Sequence, residues 1–170
     1  EVIPIKECHL PQPALNELWP QLNFEPGSGI QRVELRLGME DDVLLTLESA
    51  DPQPPPFEVD LPVSAVHLGP AGPMVLAGDD YTVIQVLGRP FRVSAGAFFQ
   101  VNTAQAEIMV THLLEILPLK PGSTVFDIYC GAGLFSAFLA PRVSRLAGIK
   151  LSPAACLDFS VNLDEFDNVE

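Results

Sequence analysis

Positive charge is scarce in this 170-residue chain: nine Lys and Arg stand against 22 Asp and Glu, a formal net charge of −13. The cations are scattered singly, with no Lys/Arg run, so the chain offers no general attraction to a phosphate backbone. A nucleic-acid partner would have to be gripped by something else. Cysteine is scarce as well. Cys8, Cys130 and Cys156 are an odd set with no pair at metal-ligand spacing, which argues against a disulfide framework and for a reducing, cytoplasmic setting. No apolar run approaches the roughly 18 residues that span a bilayer, and no signal peptide opens the sequence, so no membrane partner is expected. The first residues, "EVIPIKEC", lack a methionine, as expected of a piece of a longer protein. His9, His67 and His112 show no ligand spacing and read as core or surface histidines.

What is plentiful is apolar surface. Residues of that type make up 48% of the chain, enough to build a real core. Ahead of Pro118 the pattern is mostly strands and turns. "PALNELWPQL" puts Leu15, Leu18 and Leu22 on one face of a short helix closed by Pro20. "RVELRLG" alternates Val33, Leu35 and Leu37 with Arg32, Glu34 and Arg36, and "DVLLTLES" follows a turn. Residues 32–37 and 43–48 are therefore predicted to pair antiparallel. The proline-rich "ADPQPPPFEVDLP" is no central strand and reads as a loop, edge or linker. "YTVIQVLG" and "RPFRVSA" make a second hairpin across Gly88. "TAQAEIMVTHLLEIL" spaces Ile108, Met109, Leu113, Leu114 and Leu117 as a helix, with Thr103 as its cap and Pro118 as its stop.

After "LKPGS" the pattern changes. Apolar run, helical run, apolar run and helical run follow one another, and "NVE" could open a third strand. That order predicts parallel strands at 124–128 and 145–149, joined by a helix over roughly 134–141. So few parallel strands leave a face uncovered, and Val125, Ile128 and Ile149 are expected to be exposed.

The turn between the first strand and its helix is "FDIYCGAGLFS". Glycine there admits a positive φ and lets a ligand approach without a Cβ in the way. The helix start behind it offers unpaired N–H groups. G-x-G falls short of the full G-x-G-x-x-G dinucleotide pattern, and by itself it is equally the mark of a tight turn. Asp127 stands at the carboxyl end of the strand, where α/β sheets bind ligands.

Together with "GIKLSPAA" and the upstream "GAFFQVNTAQAE", this stretch resembles the S-adenosylmethionine-dependent RNA uracil C5-methyltransferases. The "FFQVN" element, Phe98 to Asn102, is the most specific part, and the opening "IPIKECHLPQPALNELWPQL" is similar too. The likeness covers nearly the whole chain and is strongest from Phe91 to Asn168. It implies an α/β chain: the start of a class I, Rossmann-like methyltransferase sheet over 91–170, preceded by a small β-rich α+β central domain over 1–90. It implies S-adenosyl-L-methionine as cofactor, with Gln100, Asp127, Tyr129, Gly131, Gly133 and the position of Lys150 around it. Gln100 should then lie beside the Tyr129–Gly133 loop. The plain alternatives are a solvent-facing strand residue for Gln100 and a helix-capping carboxylate for Asp127.

Two positions depart from the family pattern. Lys150 stands where a carboxylate would accept the ribose hydroxyls, and an ammonium can only donate. Ser152 is a nearby substitute acceptor. Leu134 occupies a loop position that is polar in some relatives, a milder change. The resemblance also implies a thiolate that attacks uracil C6 and a carboxylate base, both expected beyond residue 170. Cys130, in the cofactor loop, is not that nucleophile, and no catalytic residue is assigned here. Cys8 matches a cysteine that completes a [4Fe–4S] cluster in some members, the alternative being a lone buried thiol. RNA would be bound through parts of the protein outside this chain, and exposed sheet edges could let copies associate. A non-catalytic scaffold or partner-binding module that keeps a remnant of the cofactor loop is the rival expectation.

Overall fold

The structure is a computed structural model and describes residues 8–56, 58 and 60–170. Residues 1–7, which include all of "IPIKE", and Phe57 and Val59 of the proline-rich segment lie outside the described residues. The chain divides into two compact units, Glu1–Asp80 and Tyr81–Glu170. The division falls ten residues before the expected boundary at 90/91, because the second hairpin supplies core to the later unit.

The first unit carries helix α1 (Pro13–Leu18) and a four-stranded sheet of β1 (Ile30–Leu37), β2 (Val43–Ser49), β3 (Ser64–Gly69) and β4 (Gly72–Ala77), in that spatial order. β1 and β2 pair antiparallel, as the alternation predicts. Leu18 packs with Val43, Leu45, Leu47, Val63 and Ala65, and Val33, Leu35 and Leu37 cover the edge of that core. Strands β3 and β4 were not anticipated. β3 runs parallel to β2, which an immediate turn cannot achieve, and residues 50–63 provide the long crossover that parallel pairing needs. Of the loop, edge or linker expected of the proline-rich segment, it is the loop between β2 and β3. Pro73 is tolerated because β4 is an edge strand. His67 is a core histidine: it is buried on β3, with Nε2 2.8 Å from Ser49 Oγ.

The second unit begins with the hairpin β5 (Tyr81–Val86) and β6 (Arg89–Ser94). Helix α2 (Thr103–Ile116) follows, then β7 (Thr124–Ile128), α3 (Leu134–Leu139), β8 (Arg145–Ile149) and α4 (Pro153–Asn162). β7 and β8 pair parallel over the predicted residues. The "NVE" end adds a third parallel line: Leu146 N–H donates to Asn168 O at 2.9 Å and Gly148 N–H to Glu170 O at 2.8 Å.

Two expectations about α2 are corrected. Its cap is Asn102, whose side chain accepts the Gln105 N–H, and Thr103 is the first helical residue. Its buried stripe runs through Ala106, Val110, Leu113 and Leu117, whereas Ile108 and Met109 face outward at 58% and 44% exposure. Val125 is corrected as well. It packs on the core with Leu146, because alternation turns Phe126 and Ile128 to the opposite face. That face is open, with Phe126, Ile128 and Ile149 all more than half exposed. Among the described residues no helix is long and apolar enough to cross a membrane.

Candidate cofactor site

β7 ends at Ile128, and the chain then reverses under tight backbone control. Tyr129 N–H donates to Ile149 O at 2.8 Å, and Cys130 N–H to the same oxygen at 3.3 Å. Gly133 N–H closes the turn on Cys130 O at 3.0 Å and begins α3. The hairpin-like turn forces three positive φ values: +69° at Tyr129, +59° at Gly131 and +89° at Gly133. An aromatic residue in that region carries a cost of order 1–3 kcal/mol. Here its ring is 82% exposed, so no core contact explains the choice of residue.

The two loop glycines serve different ends. A Cβ at Gly133 would stand 2.3 Å from Leu163 Cδ1 and 3.2 Å from Phe159 Cδ2, so that glycine exists to let the helix α4 side chains pack against the loop. A Cβ at Gly131 would meet only the Phe98 carbonyl oxygen, at 3.8 Å. Gly131 is therefore the open one, and it faces the FFQVN element. Along that element Ala97 and Phe99 are buried in the core, while Phe98 and Val101 are exposed at 66% and 93%. Gln100 is half-buried, two residues beyond the carbonyl that lies against the loop.

Asp127 faces inward and caps α3. Its carboxylate accepts the Ser136 hydroxyl at 2.6 Å and the Ser136 backbone N–H. Gly133, at the cap position, has no side chain to do this, so the strand supplies it. Burial raises the Asp127 carboxyl above its ordinary value of 3.8, and the Ser136 bonds pull it back only in part. A raised folded-state value means this group contributes stability at acid pH that is lost as pH rises through that value. Asp127→Asn should consequently be at least as stable at pH 7, since the amide can accept from the Ser136 N–H and donate to its hydroxyl. Thermal unfolding across pH 4–8 reads this, and a large loss at neutral pH would show that the charge itself stabilises the turn.

Cys130 is buried, and its thiol is pushed up to about 11, by burial first and then by the nearby Asp127 and Cys156. It packs as a small apolar group. Cys156 is exposed, on the first turn of α4, with its thiol donating to Lys150 O at 3.3 Å. Lys150 is half-buried just past β8, followed by a fully exposed Leu151. Ser152 Oγ caps α4 by accepting from the Ala155 N–H at 3.5 Å. Cys8 is exposed rather than buried, and among the described residues no group of three His, Cys, Asp or Glu is placed to hold a metal ion. These residues do not make a metal centre by themselves.

A polar junction was missed at the sequence level. Asp158, fully buried on α4, accepts from Ser94 N–H at 2.8 Å, from Ser94 Oγ at 2.7 Å and from the Arg92 guanidinium. Arg92 also lies over the Tyr81 ring, 4.4 Å from its centroid. One turn on, Asn162 bonds both the N–H and the carbonyl of Arg92, and donates to the Ala132 carbonyl within the glycine loop at 2.9 Å. The available signal was Asp158 and Asn162, spaced i, i+4 beside the apolar pair Phe159 and Leu163.

Strand, glycine turn, helix and strand, with an open glycine at the carboxyl end of the first strand, make the start of a Rossmann-like α/β fold. No family model matches the chain. It is 44% identical over 97 residues to the Mus musculus tRNA (uracil-5-)-methyltransferase homolog A, covering 56% of this chain and 16% of that protein. An uncharacterised RNA methyltransferase of Streptomyces coelicolor is 30% identical over 182 residues, covering 99% of this chain and 38% of that protein. The Pyrococcus abyssi tRNA (uracil-54, C5)-methyltransferase, solved with S-adenosyl-L-homocysteine, shares the fold with a TM-score of 0.59. Its identity is 20%, over 81% of this chain and 37% of that one. The chain is a homologue of proteins named as RNA methyltransferases, tRNA uracil-5 enzymes among them, and it spans well under half the length of these relatives.

Proposed function

We propose that this chain is the cofactor-holding part of an S-adenosylmethionine-dependent methyltransferase acting on C5 of a uridine in RNA. The observation that carries the reading is the meeting of the FFQVN backbone with the open glycine: the Phe98 carbonyl lies 3.8 Å from where a Gly131 Cβ would be. Two segments far apart in sequence thereby flank one unobstructed stretch of backbone. Bound there, the cofactor supplies a methyl group on a sulfonium, an electrophile that needs a carbon nucleophile. The chain's own part is to bind and orient. Gly131 permits close approach, the exposed Tyr129 ring offers an apolar face, and Gln100 can donate to and accept from an amino-acid moiety at once.

The residues present fit such a ligand at the loop and fit it less well at Lys150. An unmet ribose hydroxyl there corresponds to a loss of about 1–3 kcal/mol. Nothing in the chain supplies the attacking thiolate. Cys130 is buried in the loop, and that burial pushes its thiol up and disfavours the thiolate. Cys156 sits on the first turn of α4 and is tied to Lys150 O. The chain by itself is accordingly inactive, with RNA gripped and attacked by parts outside it. A cluster completed by Cys8 would likewise draw its other thiolates from elsewhere, and free exposed thiols at Cys8 and Cys156 suit a reducing cytoplasm. The open face of β7 and β8 is the surface through which copies would associate, which sedimentation velocity over a concentration range would reveal.

The test is calorimetric titration of S-adenosylmethionine into the chain and two variants, beside a methyl-transfer assay on uridine-containing RNA. Lys150→Glu should bind roughly ten-fold more tightly. Gln100→Ala should bind more weakly. Methyl transfer by the unaltered 170 residues would overturn the account of the missing nucleophile. Absence of binding to any of the three would leave the scaffold reading, which Lys150 and the net charge of −13 favour.

A further inference from the structure

We infer that Asn162, on the far helix of the second unit, is the positioning residue that holds the glycine loop in its ligand-ready shape. The inference rests on the cofactor reading above for what the loop receives, though not for how the loop is held.

A side-chain amide has two N–H donors and one carbonyl acceptor, and all three kinds of bond are used here. Asn162 Oδ1 accepts the Arg92 N–H at 2.8 Å, and Nδ2 donates to the Arg92 carbonyl at 2.9 Å. The amide therefore pairs with β6 as a neighbouring strand would. The remaining Nδ2 hydrogen goes to the Ala132 carbonyl at 2.9 Å, between the two loop glycines. Arg89 adds a bond to the Asn162 backbone carbonyl at 2.6 Å, which fixes the end of α4 from the hairpin side. One side chain thus joins β6, α4 and the loop. β6 leads through the Ala97 N–H bond to Ser94 O, 3.0 Å, straight into the FFQVN element. The amide thus bonds the loop directly and reaches the FFQVN element through β6.

The alternatives fail on chemistry. Aspartate would keep the acceptor but set a second oxygen against two carbonyl oxygens. Leucine matches the volume and makes none of the bonds. Glutamine is one methylene too long for a residue that is 8% exposed in a close-packed junction. The loop has no substitute tether at Ala132, because Gly131 and Gly133 carry no side chains and Tyr129 points its ring to solvent. Docking of α4 itself does not depend on Asn162, since Asp158 holds Ser94 and Arg92 one turn earlier, and Phe159 and Leu163 remain in the core.

The test compares the unaltered 170-residue chain with Asn162→Asp and Asn162→Leu, the second keeping the volume should the first fail to fold. Amide hydrogen exchange is read at Arg92, Ala132 and Gly133 and, as reference, along the β7–β8 ladder of the same unit. The expected result is exchange at the three junction amides faster by about ten-fold or more, with the ladder unchanged. S-adenosyl-L-homocysteine should bind the variants about ten-fold or more weakly, with no matching fall in the midpoint of thermal unfolding. Uniform acceleration of junction and ladder together would mean that Asn162 only stabilises the unit, and would overturn the proposal. So would unchanged exchange at Ala132 and Gly133. If the unaltered chain binds no S-adenosyl-L-homocysteine while the exchange contrast appears, the cofactor reading fails and the loop tether stands.

Discussion

Gly133→Ala should lower the stability of the second unit by about 2–5 kcal/mol, the larger of two contrasting glycine effects in the Tyr129–Gly133 loop. Two costs add. The first is conformational: φ is +89°, where an L side chain is disfavoured by roughly 1–2 kcal/mol. The second is steric: the new methyl would lie 2.3 Å from Leu163 Cδ1, and Leu163 is only 3% exposed and packed in the core. Overpacking of that kind typically costs about 1–3 kcal/mol. For a unit of this size each kcal/mol moves the midpoint by about 4–8 °C, so the fall should be on the order of 8–40 °C. Gly131→Ala meets only the conformational cost, because its Cβ would find nothing nearer than the Phe98 carbonyl at 3.8 Å. It should leave the fold nearly intact and damage ligand binding instead. Circular dichroism melts of the two variants read the contrast. The double variant Gly133→Ala with Leu163→Ala should recover part of the loss, since the methyl then enters vacated space. Equal losses from the two single variants would show that the loop glycines answer to backbone conformation alone.

Asp158→Ala should cost about 3–5 kcal/mol, the range expected when one member of a buried ion pair is removed. The carboxylate is fully buried and accepts from Ser94 N–H, Ser94 Oγ–H and the Arg92 guanidinium, so its loss takes an acceptor from three donors at once. The Arg92 side chain is only 16% exposed, so water does little to replace the lost carboxylate. Urea unfolding should show a lower midpoint with an unchanged slope. Replacing both partners by apolar groups of similar shape, Asp158→Leu with Arg92→Met, should be markedly less harmful than Asp158→Ala alone, because no charge is then left behind. A double variant no better than the single one would mean that hydrogen bonding to Ser94, rather than the ion pair, carries the junction. The surface pair of Arg145 with Glu170, both mostly exposed, should by comparison contribute about 1 kcal/mol or less.

Local pattern was enough for part of this molecule. The alternation in "RVELRLG", the two short apolar runs at 124–128 and 145–149, and the glycines between strand and helix are signals of nearest-neighbour physics: side-chain period and allowed φ. β1, β2, β7, β8 and α4 followed from them, and so did the candidate loop. Local pattern could not reveal β3 lying parallel to β2, because that pairing depends on where a proline-rich crossover lands the chain. Nor could it assign the inward face of α2, which is chosen by the hairpin it packs on, so helical spacing alone counts Ile108 and Met109 with the apolar stripe although they face outward. The loop glycines looked equivalent in the sequence. Only the approach of Leu163 and Phe159 from α4 made one a packing requirement and left the other open to a ligand. The bonds of Asp127 to Ser136 were equally out of reach of local pattern, because they depend on how α3 leaves the turn. Asp158 and Asn162 read as ordinary helix polars. Their roles arise from partners some 64 to 70 residues away in sequence, a separation over which only the folded chain brings donors and acceptors together.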